Sequence, residues 1–131
     1  MTSHRELDLF APTPEHALLA QTLEAFVARE VEPQAAEHDR KELFNRALFA
    51  RAGELGLLGF TLPEEYGGAG LDAVAAVQVC EALSTSDPGF ALAVLAHAIL
   101  FAQNVNANGN ARSWCWSRCA RWASNCASDS L

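Results

Sequence analysis

A few groups of residues have the types and spacing that could do chemistry. Gly67-Gly68-Ala69-Gly70 suggests a loop that cradles phosphate. Such a fingerprint needs a strand before it, a helix after it and fixed glycine spacing, and GGAG has neither pattern. It predicts a tight turn that re-aims the chain into the next helix. Glu64 and Glu65 are adjacent carboxylates, which do not share a helix face, and read as part of a solvated loop with a first-turn dipole role. His97 lies in an apolar stretch, where a lone histidine is expected to be a hydrogen-bonded core residue. Metal binding would need three or more converging ligands, and His4, His16 and His38 are distant in sequence. Cys115, Cys119 and Cys126 have the spacing C-x3-C-x6-C with no fourth ligand nearby, whereas structural zinc takes four. With Trp122 these cysteines would also form one stripe if the segment were helical; neither reading is preferred. Disulfides are not expected in a cytoplasmic chain. No catalytic residue and no metal site is assigned.

The elements that must position these groups read as helices. Pro12-Thr13-Pro14-Glu15 has a capping residue, a first-turn proline and an acid at the positive end of the dipole. Leu19, Leu23, Phe26 and Val27 then give one apolar face. Pro33 is expected to end or bend this helix at Glu32, and Gln34–Lys41 is readable as loop or as helical continuation. A second helix is predicted over about Leu43–Leu55, with Phe44, Leu48 and Ala52 on its apolar side and Gly56 as a left-handed cap. Asp72 caps a third helix over about Ala73–Leu83. Asp87 and Pro88 start a fourth that reaches about Val105. The fourth is apolar nearly all round, the pattern of a helix with protein on most sides. With only three other helices to cover it, that implies a partner surface. The expectation is an all-α fold, an antiparallel helical bundle of about four helices.

Composition narrows the class of function. The chain has 131 residues, half of them hydrophobic, which suits one domain with a real core. Its net charge of −7 leaves no basic patch for nucleic acid. The start, MTSHRELDLFAPTPEH, has no apolar run and carries Glu6, Asp8 and Glu15, so neither a secretory signal nor a transit peptide is read there. Residues 1–12 are expected to be a flexible leader and the protein cytoplasmic. The longest apolar run, Phe90 to Ala102, is broken only by His97 and falls short of the roughly 20 residues that span a bilayer, so no membrane span is expected.

Three pieces carry a resemblance: LFNRALFARAGELGLLGFTLPEEYGGAGLD from Leu43, VQVCEALSTSDPGFALA from Val77, and LAHAILFAQNVNANGN from Leu95 to Asn110. Their order and spacing resemble the N-terminal all-helical domain of the acyl-CoA dehydrogenases, nearest the isovaleryl and short branched-chain members, over about residues 13 to 110. The resemblance implies an FAD-dependent α,β-dehydrogenation of an acyl-CoA thioester. In the family a glutamate takes the α-proton and flavin N5 takes the β-hydride. Most of the FAD contacts and that glutamate lie in later domains, so this chain is expected neither to bind FAD tightly alone nor to turn over. By position, the fourth helix would wall the acyl cavity with Leu92, Ala93, Leu95, Ala96 and Ile99. An acyl tail needs an apolar, concave wall, and the two alanines leave room. Each of these residues also reads as ordinary core.

The match ends near Asn110. Residues 1–110 hold 15 acids and 6 bases, whereas 111–131 hold Asp129 and three arginines, all three tryptophans and three of the four cysteines. This segment reads as a GC-rich gene translated in a shifted frame, or else as a genuine variant ending. Two function classes follow. One is the N-terminal domain fragment of an acyl-CoA dehydrogenase; the other is a free-standing helical binding or structural module without catalysis. The fourth helix, left uncovered, invites self-association.

Overall fold

In a computed structural model, residues 13–109 are described, and they form helices and turns with no strand among them. The predicted leader and the segment after Asn110 lie outside the described residues. Helix α1 covers residues 14–40 and begins where the capping signals place it: the Thr13 hydroxyl accepts from the His16 N–H, and Pro14 holds the first position. Leu23, Phe26 and Val27 turn inward.

Of the two outcomes expected at Pro33, an end or a bend, the end does not occur. Lacking an N–H, proline cannot make the ordinary bond one turn back. The backbone widens just before it, over Val27–Val31, and the Glu32 N–H reaches five residues back to the Val27 carbonyl. The Gln34 side chain then donates to the Glu30 carbonyl at 2.6 Å. The helix continues through Glu32–Arg40, so the segment after Pro33 is helical continuation rather than loop.

Helix α2 is Arg46–Glu54, shorter at its start than predicted. Asn45 is the cap, its Oδ1 accepting from the Leu48 N–H at 3.0 Å. Phe44 therefore precedes the helix and is 55% exposed, while Leu48 and Ala52 are buried as expected. Gly56 has φ of 79°, the left-handed cap that the sequence called for. Leu57, Leu58, Phe60 and Leu62 then line the core from a run of turns.

The PEEYGGAG loop folds back over that run. Gly70 donates to the Leu62 carbonyl and Leu71 to that of Phe60, both at 2.8 Å. At Gly68 a Cβ would sit 2.1 Å from the Leu62 oxygen, so only glycine fits. This is the tight turn predicted for the glycine run. It delivers the chain to helix α3, Ala73–Ser84, capped by Asp72 onto the Ala75 N–H.

Helix α4 is Pro88–Asn108. Asp87 caps it, accepting from the Phe90 N–H at 2.8 Å. It widens over Ala96–Gln103 before returning to ordinary pitch at Asn104–Asn108. At 21 residues it is longer than the apolar run alone implied, and it meets the length and composition of a membrane crossing. Its Ala91, Val94, Ala98 and Ala102 side chains are buried, while 28% of the apolar stretch as a whole is buried.

The helices pack around one core, with α1 and α3 starting side by side and α3 packed on both α1 and α4. Leu23, Phe26, Val31, Leu48, Phe60, Val79, Leu83, Phe90 and Val94 belong to one core cluster. Burial of apolar area of this kind, at about 25 cal/mol per Å², is what holds four modest helices together. At their starts, α1 and α3 are tied by polar groups. His16 is buried, with Nδ1 2.8 Å from the Thr13 hydroxyl and Nε2 2.9 Å from Asp72 Oδ1. Helix α2 is tied to α1 by Asn45 Nδ2, which donates to Gln34 Oε1 at 2.8 Å, and by Arg51, 3.1 Å from Glu30 Oε2.

Candidate functional site

Helix α4 has two unlike sides because its sequence is apolar all round and its neighbours cover only one of them. Between Pro88 and Asn108 it carries no Asp, Glu, Lys or Arg. The buried side is mostly small: Ala91, Val94, Ala98 and Ala102 recur at three- and four-residue spacing, and the first half of the helix packs on α3. The other side keeps large side chains in solvent, with Leu92 and Leu100 each 66% exposed and Phe101 50%.

The five predicted wall residues fall on and beside that open side. Leu92, Leu95, Ala96 and Ile99 recur at i, i+3, i+4 and i+7 and share a face; Ala93 flanks it. Leu92 is exposed; Ala93, Leu95 and Ala96 are half-buried; Ile99 is half-buried and packs partly on the core. The structure thus brings four of the five together as one apolar strip. It is a single wall. None of the five lines the cleft of about 820 Å³ that opens at the start of α4 between the end of α1 and the loop before α2. Glu32, Asp39, Glu42 and Asp87 line that cleft together with Leu43, Phe44 and Phe90.

His97 lies between the wall and the core, in a row of rings. Phe49 meets it edge-on at 5.9 Å and Phe101 stands at 6.1 Å, while Phe44 packs on Phe49 at 5.5 Å. Burial holds its imidazole below the ordinary histidine range, favouring the neutral ring. Among the described residues no group of three or more His, Cys, Asp or Glu converges as a metal site would require. The cysteine trio of the C-terminal segment lies outside the described residues.

The acidic and glycine candidates act locally. Glu64 and Glu65 are exposed on a single turn, Glu64–Tyr66, where the Glu64 carbonyl accepts from Gly67. The N–H groups of Gly67, Gly68 and Gly70 are all bonded within the loop, so they do not cradle a phosphate. A flavin phosphate would find three of the loop's N–H groups, those of Gly67, Gly68 and Gly70, already engaged. What α4 offers there is uncharged apolar surface.

Sequence reasoning missed three features: the His16–Asp72 tie, the Asn45–Gln34 bond and the acidic cleft. Each joins segments far apart in sequence. Only Asn45 left a local signal, being a strong capping type immediately before Arg46.

Comparison with known proteins adds an independent line. Residues 13–113 match the family described as acyl-CoA dehydrogenase, N-terminal domain. A probable acyl-CoA dehydrogenase of Bacillus subtilis (strain 168) is 37% identical over 86 residues, covering 65% of this chain and 14% of the relative. The mitochondrial isovaleryl-CoA dehydrogenase of Pongo abelii is 36% identical over 98 residues, covering 73% and 23%. The mitochondrial short-chain specific acyl-CoA dehydrogenase of Mus musculus is 48% identical over 60 residues, covering 46% and 15%. The matched region spans less than a quarter of the length of each of these relatives.

Proposed function

As the chain belongs to the acyl-CoA dehydrogenase family through its N-terminal domain, we propose that it supplies one wall of an acyl-chain cavity in the FAD-dependent α,β-dehydrogenation of an acyl-CoA thioester. The observation that carries this reading is the apolar strip of Leu92, Leu95, Ala96 and Ile99, exposed at Leu92 and half-buried at the other three, on a helix whose opposite side is buried. A surface of this kind binds an aliphatic chain by removing apolar area from water, at about 0.8 kcal/mol for each buried CH₂. Ala93 and Ala96 set how much room is left. The contribution is binding and exclusion of water; no proton or hydride is held by any of these side chains.

A chimaera tests the proposal: residues 13–110 replace the corresponding segment of the mouse short-chain enzyme. The chimaera should turn over. Ala93→Leu or Ala96→Leu should then lower kcat/KM for longer or branched acyl-CoAs by about 10-fold or more relative to the shortest substrate, since one or two methylenes of lost room are worth about 1–3 kcal/mol. An unchanged chain-length preference in both variants would remove the wall assignment.

The second reading, a helical binding module without catalysis, draws on the same strip as a docking face for protein. Flavin absorbance separates the two when the purified chain is mixed with the remaining domains: a yellow complex supports the dehydrogenase reading, a colourless one the module.

A further inference from the structure

We propose that the cleft at the start of α4 docks an amphipathic helix of a partner protein, one with basic residues at i and i+7 and apolar residues at i+3 and i+4. The first argument is the wall that α1 gives the cleft. Glu32, Ala35, Ala36 and Asp39 all line it and recur at i, i+3, i+4 and i+7, so they share one face. Two small side chains leave a shallow floor between two carboxylates. Those carboxylates stand about 10 Å apart along the axis, at about 1.5 Å rise per residue. A helical partner repeats that interval with its own i and i+7 positions. In a strand, residues on one face come at steps of about 7 Å, so cations would fall at about 7 or 13 Å and miss it.

The second argument is the apolar surface across from that wall. Leu43 and Phe44 line the cleft and stay 60% and 55% exposed, two large neighbours held in solvent, while Phe90 lines it from the core. A helix laid on the alanines would cover them, the usual way an amphipathic helix seats in a groove. The third argument is charge. Glu32, Asp39, Glu42 and Asp87 line the cleft, and none of the four enters an ion pair among the described residues. Of the basic types only His38 lines it, with Nδ1 3.0 Å from the Gln34 carbonyl. Lys41 is held by Glu37, and neither it nor Arg40 nor Arg46 belongs to the lining. Such a cleft repels phosphates, nucleic acid and anionic lipid and attracts cations. It is separate from the acyl-chain wall, so the two readings stand or fall independently.

The probe is a fluorescein-labelled, alanine-rich helical peptide with arginine at i and i+7 and leucine at i+3 and i+4. Anisotropy with the full-length chain at low salt should show saturable binding. Glu32→Gln and Asp39→Asn should each weaken it about threefold, within the range of an exposed ion pair. Leu43→Ser should weaken it by a similar factor. Glu15→Gln removes the same charge from the same helix about 25 Å away, well beyond the screening length of about 10 Å, and should leave affinity unchanged. A peptide with its second arginine moved to i+5, off the shared face, should bind about threefold more weakly or worse. Absence of saturable binding would overturn the proposal. So would equal binding of a peptide with glutamine in place of both arginines, or an equal loss in Glu15→Gln, which makes the attraction one of net charge. Displacement of the peptide by an equal concentration of spermidine would also overturn it and assign the cleft to a small polyamine. The comparison of the two arginine registers uses the wild-type chain and stands alone if a variant fails to fold.

Discussion

His16 Nε2 stands 2.9 Å from Asp72 Oδ1 and joins the first turn of α1 to the cap of α3 across 56 residues of sequence. Asp72 does two jobs with one oxygen, since Oδ1 also accepts from the Ala75 N–H at 3.0 Å. The hydrogen bond from His16, and after it the one from Ala75, hold the Asp72 carboxyl below the usual carboxylate range.

That shift fixes a pH dependence. A carboxyl whose folded pKa is depressed stabilises the fold above its unfolded pKa and loses that contribution as pH falls through the folded value. The stability advantage of the wild-type chain over Asp72→Asn should therefore be full near neutrality and shrink as pH drops below about 4, near the unfolded pKa. Thermal unfolding of both proteins across pH 3–7, roughly the span that linkage makes informative, checks it. An advantage that stays constant over that range would mean that the charge of Asp72 does not matter.

Glycine substitutions should rank by local geometry. Gly68→Ala should cost more than about 1 kcal/mol, because its Cβ would collide with the Leu62 carbonyl and the loop would have to move. Gly56→Ala should cost about 1 kcal/mol, from left-handed backbone alone, since nothing crowds its Cβ. Gly59→Ala meets only ordinary contact and should cost least. Urea unfolding of the three variants gives the order.

Two leucines of α1 separate core from surface. Leu23 is 1% exposed and Leu18 66%. Leu23→Ala should destabilise by about 2–5 kcal/mol, whereas Leu18→Ala should stay within about 0.5 kcal/mol. Equal losses in chemical denaturation would contradict the assigned face.

The chain on its own should show no dehydrogenase turnover. Helix α4 carries no acid to take an α-proton, and in the glycine loop the N–H groups of Gly67, Gly68 and Gly70 are engaged in its own turns. Hydride transfer needs both reactants and a base held together near the substrate carbons. Reduction of an electron acceptor by the flavin-incubated chain with any acyl-CoA would refute this.

What could be read in the sequence was local. Asp72, Asp87 and Gly56 acted where they stand, because a cap depends on its own neighbours within a turn. The two sides of α4 followed from counting helices against apolar surface. What escaped depended on tertiary contact. Nothing near His16 points to Asp72. Pro33 left open whether the helix ends or continues because propensity describes an isolated helix, whereas here Val27 and Val31 are buried and the backbone widens just before Pro33 while the helix goes on. Phe44 fitted the apolar spacing of α2, but Asn45 captured the cap and left it outside. The five residues proposed as a wall were placed by resemblance, and the grouping of four of them follows from helical periodicity.

The widened stretch of α4 also bears on how such a domain tolerates change in length. A wide turn holds one residue more than ordinary helical pitch requires. Deleting a single residue within Ala96–Gln103 can be absorbed by tightening that turn, which leaves Asn104–Asn108 facing the same way. The same deletion within Pro88–Leu95 would rotate every later side chain by about 100° and turn the buried alanines out of the core. Insertions and deletions among descendants of this gene should therefore collect in the second half of the helix and spare the first.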